Sequence, residues 1–439
     1  MTPLPPEEAQ AIAYEAFMYG YPLAANYSIL WQSTLAIQQQ FNTFYGKAQL
    51  YGPDDTTVIT PNNDTAYSQG WLDLGAEPMV LQVPTVPQNP ERYYSFQIID
   101  ACTNNVGYVG SLTTGTAAGN YVLAPPGMVP SSVPNATVIP VSGRYIFLLG
   151  RTQILGPNDI PAAQAIMDQY ALVPLSQFLG QPAPAPAPAP PFLPVAPSFV
   201  TTLAYFQYLN LALTFQTPPA GDAPLLERFA RIGVGPGLPF NPSTLDPELA
   251  GAFQRGILEA SNAITNKTKE GAVENGWNLP EVNLPYFGTD WWTDYEFRSM
   301  VARAGIYANS PSEALYYRGY QDVISTPLDG ANQYTMTFPS SDQLPPATAF
   351  WSLTMYGANQ LLVPNSINRY SLGSQSSLSA AADGSVTIYI QANAPTAAEM
   401  PNWLPSPASG SFYVVLRIYG PENMSYIPPG LVRVGSSGS

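Results

Sequence analysis

Between Gln181 and Pro191 every second residue is proline, and the intervening residues are alanine. Alternating proline removes backbone donors and crowds the preceding turn, so this run can form neither a helix nor the interior of a sheet. It reads as an extended polyproline-type spacer, a surface strap between helices rather than a boundary between domains. The chain around it has 439 residues, too many for one ordinary domain and suited to two or three.

Side-chain chemistry narrows the function classes. There is no histidine, which excludes a Ser-His-Asp triad, a His general base and His-ligated zinc or haem. A single cysteine, Cys102, excludes an internal disulfide and a CxxC redox pair. The 30 acidic residues outnumber 15 basic ones, with lysine only at 47, 267 and 269. Such a chain lacks the basic face that nucleic acid needs, and no nucleic-acid partner is expected. No apolar stretch approaches the ~20 residues of a membrane span. The opening Met1–Glu8 lacks the basic and apolar regions of a signal peptide, so a mature or trimmed start is expected.

Patterning divides the chain. Ala9, Ile12, Ala13, Ala16 and Phe17 mark one face of a helix over 7–19, ended by Gly20 and Pro22. Residues 56–155 read as short strands between Gly, Pro and Asn clusters: Met79–Val83, Tyr93–Ile99, Tyr121–Leu123, Thr137–Val141 and Tyr145–Leu149. Helical composition follows at Ala162–Leu179, Phe199–Phe215 and Asp246–Ile264, the last with Asp246 as cap and Pro247 at the first position. Strand patterns return at Tyr334–Phe338, Phe350–Tyr356, Val386–Gln391 and Ser411–Tyr419. The expected organisation is an N-terminal helical segment (1–40), a β-sandwich (41–155), a helical linking domain (156–322) carrying the 181–191 strap, and a C-terminal β-sandwich (323–434). Residues 435–439 are read as a flexible tail. The two β regions share no visible internal sequence match.

Several polar and aromatic clusters are candidate sites. Asn62, Asn63 and Asp64, followed by Tyr67 and Trp71, form the densest; they suit a sugar, an amide or a cation, or an Asx-rich turn that satisfies its own backbone. Arg92 and Asp100 bracket one strand, and Arg144 and Arg151 another, as pocket rims or as halves of buried ion pairs. Asp290, Trp291 and Trp292 suit a stacking platform or a domain-interface plug. Asn368 and Arg369, and Asn402 and Trp403, suit a ligand rim or loop packing. Without histidine, acid–base work falls to carboxylates, of which Asp64, Asp100 and Asp290 are the candidates. Asp54 and Asp55 with Asn62, Asn63 and Asp64 make a weak calcium pattern without an EF-hand loop; no other cofactor is expected.

These motifs resemble a known pair of families. Thr60–Ser68 with Trp71, then Arg92, Asp100, Thr113–Gly115 and Gly150–Thr152, look like the domain-of-unknown-function family 1254. Leu328–Asn332, Leu344–Pro346, Phe350–Tyr356, Asn368–Tyr370 and Asn402–Pro405 look like its usual companion, family 1214. The resemblance spans residues 7 to about 434. It implies a mixed, mainly β protein: two antiparallel β-sandwich or jelly-roll-like domains joined by a helical segment. It also implies a secreted, periplasmic or virion-surface setting, and it supplies no catalytic residues.

The expectation is a secreted or envelope-associated binding protein with an aromatic and amide-lined pocket for a polar organic ligand, a glycan among them, and with homo-oligomer formation open. A carboxylate-based hydrolase, and a structural protein of a shell, filament or virion, are the alternatives.

Overall fold

The computed structural model describes residues 4–56, 58–196, 198–280 and 294–436. Helix α1 (Pro6–Ser33) opens the chain. It runs straight through Gly20 and Pro22, where the sequence pattern expects it to end. Pro22 cannot donate to the carbonyl of Met18, which instead accepts the Ser299 hydroxyl at 2.6 Å. The Phe17 carbonyl likewise accepts the Tyr205 hydroxyl at 2.9 Å. Tertiary donors thus cover the carbonyls around the break, which is what lets proline sit inside a helix.

The N-terminal sandwich follows: β1 (Thr65–Asp73), β2 (Met79–Val83), β3 (Tyr94–Ile99), β4 (Asn105–Gly110), β5 (Gly119–Ala124), β6 (Thr137–Pro140), β7 (Tyr145–Gln153) and, after helix α2 (Ile160–Met167), β8 (Ala171–Pro174). One sheet has the order β1-β7-β3-β4 and the other β6-β5-β2-β8. Leu72, Phe96, Ile98, Ile146 and Leu148 from the first sheet meet Met79, Leu81 and Leu123 from the second. Alternation sends Trp71, Tyr145, Phe147 and Leu149 to the opposite face, where they pack on α1.

The middle of the chain is less helical than its composition suggests. Ala162–Leu179 holds α2, β8 and the four-residue α3 (Leu175–Phe178). The 181–191 run is extended and mostly exposed, and the Pro188 carbonyl accepts from Arg144 at 2.9 Å. Then come α4 (Tyr205–Ala212), α5 (Ala223–Ala230) and α6 (Pro247–Lys267), the last capped by Asp246 at 2.9 Å to the Glu248 amide. After the two-residue strands β9 (Val273–Glu274) and β10 (Trp277–Asn278) comes α7 (Tyr295–Ala304), capped by Asp294.

The C-terminal sandwich comprises β11 (Ala314–Gly319), β12 (Asn332–Phe338), β13 (Ala347–Gly357), β14 (Ser371–Gly373), β15 (Val386–Gln391), β16 (Trp403–Pro405), β17 (Phe412–Pro421) and β18 (Val432–Ser436). Its sheets have the orders β14-β13-β17-β11-β10-β9 and β16-β15-β12-β18. Residues 435 and 436 are therefore not a free tail: Gly435 and Ser436 pair with Gln333 and Asn332 on β12. Similarly, β8 and β11 carry the two sandwiches beyond the expected limits at 155 and 323.

Setting β1–β8 beside β11–β18 shows one topology used twice. Replacing each strand n by n + 10 converts β1-β7-β3-β4 into β11-β17-β13-β14 and β6-β5-β2-β8 into β16-β15-β12-β18. Among the described residues the parallel pairs are β5 with β6 and β15 with β16, and these also correspond. No overall sequence match announces this duplication.

The helices interlock at close range. A Cβ added at Gly256 on α6 would lie 2.5 Å from the Gln10 carbonyl oxygen and 2.9 Å from the Tyr14 amide nitrogen on α1. Gly256→Ala gains about 1 kcal/mol of intrinsic helix propensity, but the obstacle is backbone, which cannot swing aside. We expect a net loss of about 1–3 kcal/mol, measured by chemical denaturation; an unchanged or higher midpoint would show that the helices separate freely.

Candidate functional site

The two sandwiches meet through the polar parts of their outer sheet faces. On β7, Leu148 and Gly150 point into the N-terminal sandwich, so Arg151 points out of it; on β17, Leu416 and Ile418 point inward and Arg417 outward. Each arginine stands on a central strand between a tyrosine and a serine. Arg151 pairs in register with Tyr67 on β1 and Ser95 on β3. Arg417 pairs with Tyr316 on β11 and Ser352 on β13. The residue two positions after each serine holds the guanidinium: Arg151 Nη1 donates to Gln97 Oε1 at 2.9 Å, and Arg417 Nη1 to Thr354 Oγ1 at 3.0 Å.

A carboxylate reaches each half-site from the other domain. Asp64, three residues before Tyr67, accepts the Ser352 hydroxyl at 2.5 Å. Glu313, three residues before Tyr316, accepts the Tyr93 hydroxyl at 2.6 Å, and that hydroxyl lies 2.8 Å from Ser95 Oγ. The loop entering β1 therefore lies on the C-terminal sheet, and the loop entering β11 on the N-terminal sheet. Asn62 Nδ2 donates to the Tyr419 hydroxyl at 2.7 Å, and the Tyr356 hydroxyl donates to the Pro61 carbonyl at 2.6 Å. In the other direction, Gln97 Nε2 donates to the Tyr307 carbonyl at 3.1 Å, and Asn105 Nδ2 to the Ala308 carbonyl at 3.0 Å.

Arg151 and Arg417 are 5% and 4% exposed. Among the described residues, neither has a carboxylate oxygen within the 4.0 Å of an ion pair. Tyrosine rings substitute in part: Arg151 Cζ lies 5.7 Å from the centre of Tyr67, and Arg417 Cζ 5.7 Å from that of Tyr356. Burial pushes the carboxyls of both Asp64 and Glu313 up; the Arg417 charge and the Ser352 hydrogen bond oppose the rise at Asp64, and the Tyr93 hydrogen bond and the Arg151 charge oppose it at Glu313.

Two cavities flank the Thr60–Asp64 loop, with Tyr51 lining both. The first, of about 450 Å³, is walled by Ile29 of α1, Phe147 and Leu149 of β7, and Val415 of β17, with Asn62, Tyr67, Tyr316, Arg318 and Arg417 supplying polar groups. The second, of about 560 Å³, is lined by Asn63, Asp64, Asn368, Arg369 and Ser352 among others. Asn63 Oδ1 is buried without a hydrogen-bond partner among the described residues.

The structure thus gathers Asn62, Asn63, Asp64, Tyr67, Asn368 and Arg369 around two neighbouring cavities, with Arg151 beside Tyr67. Other candidates hold the fold. Trp71 is 1% exposed, stacks on Phe147 at 4.7 Å and donates to Ser33 at 2.9 Å, so it belongs to the core under α1 rather than to a ligand rim. Arg92 forms a two-pronged pair with Asp159 at 2.6 and 2.7 Å. Trp403 is buried, donates to the Gln391 carbonyl at 2.8 Å, and its own carbonyl accepts from Arg369 at 2.9 Å. Asp100 accepts from the Cys102 and Asn104 amides, the Asn104 side chain and Ser142, which fixes a turn and consumes its lone pairs. It also stands at the far end of β3 from Asp64, about 20 Å at strand rise, too far for a glycosidase pair. Asp290 and Trp291 lie outside the described residues. Among the described residues no cluster of three or more Cys, Asp or Glu side chains is placed to hold a metal ion, Asp54 and Asp55 included.

Arg417, Glu313, Tyr316, Ser352 and Tyr93 are absent from the sequence-based candidates, yet the sequence carried a signal for them. An acid three residues before a tyrosine (Asp64 and Tyr67; Glu313 and Tyr316), two aromatics before a serine (Tyr93-Tyr94-Ser95; Phe350-Trp351-Ser352), and an arginine shortly before Gly-Pro (Arg151 with Gly156-Pro157; Arg417 with Gly420-Pro421) occur in the same order in both halves.

A raised carboxyl pKa in the folded state means that stability is greatest when the group is protonated. It then falls as pH rises from the unfolded value, about 4.3 for Glu, through the higher folded value. Glu313→Gln keeps an acceptor for Tyr93 and removes this titration. Melting temperatures recorded from pH 4 to pH 8 are expected to decline less steeply for the variant than for the wild type; parallel curves would mean that Glu313 ionises in the fold at no cost.

Comparison with known proteins agrees with this two-part construction. Residues 41–174 match the family described as "Protein of unknown function (DUF1254)", and residues 313–423 match "Protein of unknown function (DUF1214)". A crystal structure of the VPA0106 protein from Vibrio parahaemolyticus is similar at 26% identity and a TM-score of 0.76, over 97% of this chain and 100% of that one. A structure of an uncharacterized protein from Burkholderia cenocepacia matches at 12% identity and a TM-score of 0.45, over 97% and 94%. No curated protein matches the chain. With one sandwich matched by each family, the chain is a two-part protein, DUF1254 in its N-terminal half and DUF1214 in its C-terminal half.

Proposed function

We propose that the chain is a binding protein that takes a small polar organic molecule into the 450 Å³ cavity between the sandwiches. The observation that carries this reading is the lining: apolar side chains from α1, β7 and β17 surround a few convergent polar groups, and residues from both sandwiches and α1 contribute. Its volume falls in the range of small-molecule sites, which lie at domain interfaces and use few polar groups for orientation. With Trp71 and Trp403 committed to packing, any stacking against a sugar falls to tyrosines of the lining, Tyr51, Tyr67, Tyr307 and Tyr316. An exported or envelope setting is part of this proposal. It is supported by a lone thiol that is buried, with its pKa pushed up to about 12 mainly by that burial, so that no reactive cysteine faces an oxidising medium.

Val58 lines the cavity and is 43% exposed, so it stands at the mouth and can be enlarged without disturbing the core. A thermal-shift screen of polar metabolites is expected to yield compounds that stabilise the wild type and not Val58→Trp. A ligand at a hundredfold excess over its Kd adds about 2.7 kcal/mol. Equal responses from both proteins would place binding elsewhere, and no response from either would remove the reading.

A further inference from the structure

The cavity just described has a charge that the chain as a whole does not. Acidic residues outnumber basic ones two to one, 30 against 15, yet among the described residues the lining contains Arg318 and Arg417 and no Asp or Glu. Arg417 sits deep. It donates to the Thr354 and Tyr356 hydroxyls and the Thr60 carbonyl, at 3.0, 2.9 and 3.4 Å, all uncharged. They occupy three of the five N–H groups a guanidinium carries. Asp64, the carboxylate that faces this arginine electrostatically, is engaged by Ser352 and lines the other cavity. A buried guanidinium without a paired anion is costly, and its planar fork matches a carboxylate or phosphate. Tyr316 adds a donor: its hydroxyl accepts from Asn309 Nδ2 at 2.7 Å, which leaves its own proton to give. Arg318, exposed at the rim, adds positive charge where a ligand would enter.

We propose that this cavity takes an organic anion, with a carboxylate or phosphate head seated on Arg417 and an apolar or aromatic body against Ile29, Phe147, Leu149 and Val415. The inference rests on the cavity being the ligand site and names the class of ligand it selects.

A matched series sharing one body tests it: 4-phenylbutyrate, 4-phenylbutyl phosphate, 4-phenylbutan-1-ol and 4-phenylbutylamine, titrated calorimetrically into the full chain at fixed salt. The two anions are expected to bind at least about tenfold more tightly than the alcohol, and the amine not at all. Which anion binds better distinguishes a carboxylate from a phosphate ligand. Arg417→Gln should cut the anions' advantage over the alcohol to within about twofold, since it deletes the charge and not the apolar wall. Should that variant fail to fold, Arg318→Gln, altered only at the exposed rim, is expected to weaken the anions modestly and to reduce their dependence on salt. An alcohol that binds as tightly as the acids, with Val58→Trp abolishing both, would overturn the anion class while the cavity stands. Anions that bind wild type and Val58→Trp alike, or no binding by any of the four, would overturn the proposal and the cavity reading with it.

Discussion

The two sandwiches are joined by a layer of hydroxyls, amides, carboxyls and the Arg417 guanidinium, beside a small aromatic cluster, and the rest of the molecule is arranged around that layer. An apolar interface tolerates sliding, because greasy contacts are interchangeable. A buried polar layer does not, because each donor must meet a particular acceptor or lose its hydration for nothing. Here the matching is reciprocal. The loop before the first strand of each domain crosses to the other domain and places its acid on a hydroxyl there, Asp64 on Ser352 within β13 and Glu313 on Tyr93 just before β3. Aromatic rings add to the layer: Tyr93 lies 5.2 Å from Tyr419 of the other domain, which stacks on Phe350 of its own sheet at 4.3 Å.

The reciprocity follows from the shared topology. If two copies of one sandwich are placed face to face about an approximate twofold axis, any residue that reaches across does so twice, at equivalent positions. Tyr67 and Tyr316, Ser95 and Ser352, Gln97 and Thr354, Arg151 and Arg417, and Asp64 and Glu313 stand in that relation. The halves have nevertheless diverged around the arginines. Gln97 spans to the Tyr307 and Ala308 carbonyls as well as holding Arg151, whereas the shorter Thr354 accepts from Arg417 within its own sheet. Of the two, it is Arg417 that lines the 450 Å³ cavity between α1 and the sheets.

Much of the fold was legible because it rests on local rules. Val386–Gln391 alternates and follows an Asp383-Gly384 turn in which Gly384 has φ +88°, a conformation glycine supplies without strain. Asp246 followed by Pro247 starts α6 as capping chemistry requires. What failed were features settled by partners distant in sequence. Nothing near Pro22 shows that Ser299 will cover the carbonyl it orphans, and nothing in the Gly-Ser ending shows that β12 offers it an edge. The site divided in the same way. Asn62, Asn63 and Asp64 stood out as a dense polar run, but Arg417 sits in an apolar strand, Phe412-Tyr-Val-Val-Leu-Arg417-Ile-Tyr419, and becomes informative only once the opposite face is known to be covered. Trp71 misled for the converse reason: a tryptophan beside a polar cluster belongs to the face that α1 buries.

The cavity itself is a consequence of how one sheet is shared. The outer face of β1-β7-β3-β4 is long enough for two partners. Its Trp71 and Phe147 end packs under α1, and its Arg151 and Ser95 end lies under the C-terminal sandwich. A helix and a twisted sheet cannot both follow the same surface to a common edge, so space is left where they part, bounded by Ile29, Leu149 and Val415. Residues 305–308 cross that gap on their way from α7 to β11. Tyr307 is held there at φ +64°, an uncommon value for a side chain of its size, by its hydroxyl on Asn26 Oδ1 at 2.5 Å and by Gln97 on its carbonyl. The same tyrosine lines the cavity, so the segment that ties helices to sandwich also sets the shape of the space. Sequence change in the helical middle can therefore reach the lining through Tyr307 without altering either arginine.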